Sequence, residues 1–301
     1  MTGADRPAVS VVVACYRAER TIVDCLDSLC RQVTGHRFEV IVVNSSPDAT
    51  PALIHRHFPH VRCLECPERK FAGEARNDGI ALARGDIVAM TDADCVVAPD
   101  WIDAIVVAHD LPHPAIGGAI ANGNPGSAVG WAGYLLELHQ WMPSRPAGWM
   151  DDVGGGNMSY KREVFSRFGP FITGTYGSDT EFHWRLAAAG HRVWFEPSIR
   201  VAHRNIERLG RLLAHEFEHG RSFGRVRTGG QRLSRTRRVA MAGAFPLIAA
   251  LLAARTVRDA VADRESRRAL WRVAPLLAVA HLAWSGGEAA GYLSRRRAVS
   301  P

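Results

Sequence analysis

Residues 75–94 read ARNDGIALARGDIVAMTDAD, and the succession of residue types in this stretch decides the fold. Small and apolar residues interleaved with Asn77 and Asp78 predict a helix over 71–83, with Gly85 as its C-terminal stop. The run DIVAMT at 86–91 reads as a strand buried on both faces. Asp92-Ala93-Asp94 follows at once. Two carboxylates so spaced in a loop after a buried strand cannot both face the core.

Working outward, the same alternation recurs. VSVVVA at 9–14 is a short β-branched run and predicts a buried strand. Ile22, Cys25, Leu26 and Leu29 have helical spacing within 21–32. FEVIVV at 38–43 predicts a second buried strand, SPDATP at 46–51 a turn, 52–58 a helix and 61–65 a short strand. Strand and helix alternating in this way predict an α/β fold with a parallel, doubly wound sheet. Such sheets bind ligands beyond the carboxyl ends of their strands. Three polar clusters fall there: Tyr16-Arg17-Ala18-Glu19, Asn44-Ser45-Ser46 and Asp92-Ala93-Asp94. Further on, 115–134 is rich in glycine and alanine and shows no clear period. A glycine run opens 154–171, with a helix predicted at 161–167. Residues 179–189 form a helix pattern stopped by Gly190, and 193–197 a strand.

The 301 residues are 47% hydrophobic and 22% charged, which excludes a wholly disordered chain. Net charge is +7 and the pI about 9.4. Arginines crowd residues 200–238 and recur at Arg264, Arg267, Arg268 and Arg295-Arg296-Arg297. They flank apolar runs, which favours a membrane surface over nucleic acid as partner. The character of the chain changes near residue 230, giving a catalytic domain at 1–230 and a basic, apolar helical segment at 231–301. The apolar run 239–254 is only 16 residues long, and 273–284 is shorter. A spanning helix needs about 20. Two short spans, a re-entrant hairpin, an interfacial pair and a soluble helical hairpin all fit. Basic flanks lie before, between and after the runs, so charge does not fix an orientation. Residues 1–7 lack the apolar stretch of a signal peptide. The six cysteines read as reduced thiols, because Cys63-x-x-Cys66 has no second pair to complete a zinc ribbon.

Asp92-Ala93-Asp94 carries the chemistry. Hard divalent cations take oxygen ligands, and magnesium is usually held by one or two carboxylates together with substrate phosphates. A bound cation neutralises a diphosphate leaving group. The segments 10–22, 40–50, 75–85 and 87–94 stand in an order that resembles the family 2 glycosyltransferases, which have the GT-A fold. The resemblance continues through Gly155-Gly156-Asn157-Met158-Ser159-Tyr160-Lys161-Arg162 and Gly177-Ser178-Asp179-Thr180-Glu181-Phe182-His183-Trp184-Arg185-Leu186, and covers roughly 8–225.

That resemblance implies a GT-A type, Rossmann-like catalytic domain that uses a nucleotide-sugar donor and Mn2+ or Mg2+. It implies that Asp92 meets the ribose side of the nucleotide and that Asp94 is the metal ligand. Ala14, Tyr16 and Arg17 would line the nucleotide pocket, and Arg76 would lie near the diphosphate. Asp179 would be the general base for the acceptor hydroxyl. His203 matches a histidine that helps hold the metal in some members. The chemistry that follows is in-line attack with inversion at the anomeric carbon. Relatives with such C-terminal tails imply a lipid-linked or cell-envelope glycan acceptor, and a cytoplasmic catalytic domain held at a membrane.

The chain departs from the family pattern at two points. Asn44 stands where an aspartate usually reads the base, and Ser178 replaces a glutamate before Asp179, which leaves Glu181 as an alternative base. A rival reading also stands. His215-Glu216-Phe217-Glu218-His219 spells H-E-x-x-H, the zinc protease signature. Against it, Ser222 and Arg225 replace the glycine and histidine of the longer form, no obvious third ligand appears nearby, and Gly220 predicts that the helix ends there. A non-catalytic sugar or head-group binder is a third possibility.

Overall fold

A computed structural model describes residues 6–294. The N-terminal residues 1–5 and the basic run Arg295-Arg296-Arg297 lie outside the described residues. The first half contains β1 (Val9–Cys15), α1 (Ile22–Cys30), β2 (Phe38–Asn44), α2 (Thr50–His57), β3 (Arg62–Glu65), α3 (Ala72–Leu82) and β4 (Ile87–Asp92). β1 lies between β2 and β4, β3 flanks β2, and all four run parallel. Val9, Val11, Val12 and Val13 are fully buried, as a strand covered on both faces requires. Ile22, Cys25, Leu26 and Leu29 turn one face of α1 into the core.

The rest of the sheet comprises β5 (Cys95–Val97), β6 (Ala115–Asn122), β7 (Gly148–Met150), β8 (Asn157–Lys161) and β9 (Val193–His203). Between them lie α4 (Trp101–His109), α5 (Ala128–Glu137), α6 (Glu163–Phe168) and α7 (Ser178–Ala188). The order is β3-β2-β1-β4-β8-β6-β9-β5, with β7 paired to β9. The parallel arrangement expected from the alternation holds for the first four strands, and beyond β4 the sheet is mixed. β8 starts at Asn157, beside Thr91 at the carboxyl end of β4, and therefore runs antiparallel to it. Asn157 also locks this half together. Its Nδ2 donates to the carbonyls of Ala119 and Ile199, each at 2.9 Å, and its Oδ1 accepts from Trp101 Nε1 at 2.9 Å. A buried amide satisfied in this way fixes the register of three strands.

Two local expectations change. α3 ends at Leu82, so Gly85 is not its cap. Gly85 instead packs against β1, where an added Cβ would lie 2.5 Å from Ser10 N. The helix expected at 161–167 is split between the end of β8 and α6.

Four helices complete the chain: α8 (Leu209–Gly230), α9 (Arg235–Gly243), α10 (Phe245–Ala262) and α11 (Arg264–Leu293). α8 and α11 touch through glycine. A Cβ on Gly220 would lie 2.0 Å from the Trp284 carbonyl oxygen, and one on Gly287 would lie 2.0 Å from that of Phe217. Ala269, Leu270, Val273, Leu277 and Ala280 of α11 join the same core as β1 and α1. The apolar run 273–284 therefore turns one face inward. The run 239–254 is broken between α9 and α10, which are bent by 65°. Among the described residues no single helix is long and apolar enough to cross a membrane, and α9 with α10 passes that test only as a bent pair.

Candidate active site

Register brings the polar clusters together. Ala14 lies beside Val43 on one side and Asp92 on the other, and Cys15 beside Asn44. The carboxyl ends of β1, β2 and β4 therefore open in one direction, where doubly wound sheets bind ligands. The chain leaves β1 through Tyr16 and Arg17. Arg17 has φ 52°, a left-handed conformation uncommon for a residue with a side chain. Its amide donates to Ser46 Oγ at 2.7 Å, which stitches the first loop to the second. Asn44 is buried, and its Oδ1 accepts from the Ser46 amide at 3.2 Å. The Arg69 guanidinium lies 4.7 Å from the Tyr16 ring centre and 5.0 Å from that of Phe71, and donates to the Tyr176 hydroxyl at 3.2 Å. Nothing in the local pattern around Arg69 marks it, because Tyr16 and Tyr176 come from two distant loops.

Arg76 ties the carboxylates to one another. Only 3% of its side chain is exposed. Nη2 donates to Asp92 Oδ1 and to the Gly155 carbonyl, both at 2.9 Å, and Nη1 lies 3.9 Å from Asp179 Oδ2. Burial opposes the charge of Arg76, but Asp92 and then Asp179 outweigh it. A side chain at Gly155 would displace these groups, since a Cβ would sit 2.5 Å from Asp179 Oδ2 and 2.7 Å from Arg76 Nη2. Gly177, at φ 73°, caps α7, so Asp179 is its second residue rather than its cap. Asp179 accepts from the Thr180 amide at 3.0 Å. Glu181 is held by Arg185, whose Nε donates to it at 3.0 Å. Behind the site, the Tyr160 hydroxyl meets His183 Nε2 at 2.6 Å and His183 Nδ1 meets Asp152 at 2.5 Å. Thr180 Oγ1 donates to Asp152 at 2.7 Å. This chain fastens the glycine-rich loop to the start of α7.

Asp94 stands opposite His203, the last residue of β9, with Oδ1 3.5 Å from Nε2. Asn205 Nδ2 donates to Asn122 Oδ1 at 2.9 Å, so its own Oδ1 faces His203 Nδ1, also at 2.9 Å. That arrangement puts a proton on Nδ1, so that Nε2, which faces Asp94, is the ring nitrogen that can give up its proton to a cation. Burial pulls the His203 pKa down, but Asp94 and then Glu137 pull it above its ordinary value. Burial raises Asp94, and His203 only partly offsets this. Cys95 Sγ lies in the same group, within 4.8 Å. Burial, followed by the charge of Asp94, holds that thiol well above its ordinary pKa.

His215 and His219 do not end their helix, because α8 continues unbroken through Gly220. Close approach to α11 accounts for that glycine. Both imidazoles meet Glu137, a partner supplied by α5. Glu216 is fully buried, sealed from any water that a protease would activate.

The family model described as glycosyl transferase family 2 matches residues 10–169. The chain belongs to this family. Among family relatives, the succinoglycan biosynthesis protein ExoO of Rhizobium meliloti is 40% identical over 102 residues, covering 33% of this chain and 29% of that protein. The chain thus spans under a third of that relative. The glucosyl-dolichyl phosphate glucuronosyltransferase of Haloferax volcanii is 28% identical over 66% of this chain and 70% of its own length. A mannosyltransferase from Pyrobaculum calidifontis, solved with GDP-Man and Mn2+, superposes with a TM-score of 0.58 at 23% identity, over 90% of this chain and 76% of its own. That likeness places the fold among the GT-A glycosyltransferases.

Proposed function

We propose that this chain moves a sugar from a nucleoside-diphosphate donor to an acceptor hydroxyl, with inversion. The observation that carries the proposal is the Arg76 bridge, which holds Asp92 and Asp179 on either side of one guanidinium at the ends of the parallel strands. Asp92 binds the ribose side, and Tyr16, Arg17 and Asn44 frame the nucleotide. Asp179 accepts the acceptor proton as the new bond forms. Glu181 is the weaker candidate, because Arg185 occupies its carboxylate.

Asp94 and His203 fit a divalent cation. Asp94 Oδ1 and His203 Nε2 face each other, and the Asn205 amide oxygen on Nδ1 fixes the ring. The remaining positions suit phosphate oxygens and water. When bound, the cation would neutralise the leaving diphosphate. An imidazole ligand favours Mn2+ over Mg2+. The test is calorimetric titration with UDP, GDP and dTDP, with and without Mn2+. Binding that ignores the metal would contradict the proposal.

The acceptor belongs to a lipid-linked or envelope glycan, and the C-terminal helices rest on a membrane surface. Exposed Leu247, Leu251 and Trp271 beside Arg255, Arg267, Arg268 and Arg272 support this reading. Sedimentation with anionic vesicles tests it. Equal recovery with neutral and anionic lipid, at background level, would refute it.

A further inference from the structure

The group formed by Glu137, His215 and His219 plays no part in the proposed transfer. His215 and His219 lie four residues apart on α8 and present their rings on one face, with ring centres 5.8 Å apart. Glu137 reaches them from the last residue of α5. Its Oε1 lies 3.2 Å from His215 Nε2 and 3.3 Å from His219 Nδ1. One ligand atom from each of the three lies within 4.8 Å of the others.

These separations fit a tetrahedral metal. Zinc bonds of about 2.0–2.1 Å to nitrogen and oxygen imply ligand–ligand edges of about 3.3 Å. Both measured carboxylate–imidazole distances match such an edge. The side chains are 22%, 30% and 32% exposed, so an ion can enter and a fourth position stays open. The helix that carries the pair is braced, because backbone contact at Gly220 and Gly224 sets α8 directly against α11.

We infer that Glu137, His215 and His219 form a second metal site, for a borderline first-row cation such as zinc, distinct from the Asp94–His203 pair. Two imidazoles and one carboxylate select zinc or cobalt over magnesium, whereas the single-imidazole pair leaves most positions to phosphate oxygen. The Tyr176 ring lies 5.5 Å from His215 and 5.6 Å from His219, three residues before Asp179, so the site borders the loop that leads to the proposed base. The open position of a cation there takes water or an anionic oxygen. The inference is independent of the transferase proposal, because metal binding is read without donor or turnover.

The full chain, stripped by chelator, is titrated with Zn2+ by calorimetry and with Co2+ by visible absorption. The expected result is zinc binding that survives Asp94→Ala combined with His203→Ala. His215→Ala or His219→Ala then weakens it by about 100-fold or more, since even loss of a group that only orients a ligand costs about 10–100-fold. Mn2+-dependent nucleotide binding persists in His219→Ala. Circular dichroism melts check that the variants fold. Should a histidine variant unfold, Glu137→Gln on the other helix carries the same expectation. Absence of zinc binding in the wild type overturns the inference. So does zinc lost in the Asp94→Ala, His203→Ala variant but retained in His215→Ala.

Discussion

Two carboxylate–imidazole centres lie side by side in this protein, and they are built differently. The strand-end centre gathers Asp92, Asp94, Asp179 and His203 from three parts of the chain, with Arg76 between Asp92 and Asp179. The helix-face centre takes two histidines from one turn of α8 and one glutamate from α5. The first leaves most of a cation's coordination to the substrate. The second supplies three ligands of its own. An open, oxygen-seeking site suits a metal that arrives with a diphosphate, while a nearly complete nitrogen-rich site suits a resident metal.

The largest effect should break the comparison at Asp179. Asp179→Asn keeps the shape and removes the base, so kcat should fall by about 10²–10⁴. Nucleotide binding by calorimetry should be unchanged. A matching loss of affinity would assign Asp179 to the donor instead.

Arg76→Ala comes next. It leaves Asp92 and Asp179 without their shared cation; a fully buried pair would lose about 3–5 kcal/mol, and the 31% and 20% exposure of the two carboxylates makes the loss here smaller. Urea unfolding should report that loss. The helix-face histidines make no contact with Arg76, so zinc binding should survive wherever the variant stays folded.

How much of this was legible in the sequence follows the range of the interactions. β1, β2, β4 and α3 were legible because continuous apolar runs and helical spacing are local signals. The place of Asp92 and Asp94 was legible because the buried run 86–91 leads straight into them, with Asp92 as the last residue of β4. The mixed half of the sheet was not. β6 lies in the glycine-rich stretch 115–134, and β8 is placed by Asn157 reaching carbonyls 38 and 42 residues away. The Asp152–His183–Tyr160 chain was hidden for the same reason. Glu137 could not be matched to His219, 82 residues on, before α5 and α8 were seen together. The helix stop expected at Gly220 failed because a helix packed on α11 needs glycine there as much as a helix end does.

Gly155→Ala sharpens the comparison on a smaller scale. Its methyl group would press on Asp179, and overpacking of this kind costs about 1–3 kcal/mol. Thermal unfolding and kcat should both fall, while zinc affinity should hold.

The smallest effect is on acid stability. Glu39 accepts from Ser10 Oγ at 2.6 Å and from the Arg84 amide at 2.8 Å, anchoring the α3–β4 connection below the strand-end centre. Partial burial raises its pKa, but Ser10 and then Arg84 lower it below the ordinary value of 4.5. A depressed folded-state pKa adds stability that is present above the unfolded value and lost as pH falls through the folded one. The gap between wild type and Glu39→Gln in urea should therefore be full at neutral pH and close on acidification below about 4.5. A gap independent of pH would mean that packing, not charge, makes the anchor.

The strand-end centre is best probed by nucleoside-diphosphate titration with and without Mn2+, on wild type and Asp94→Ala. If Asp94 holds a cation under the diphosphate, one nucleotide should bind wild type only with the metal, and Asp94→Ala should abolish it. Nucleotide binding that is indifferent to both Mn2+ and Asp94 would contradict that role.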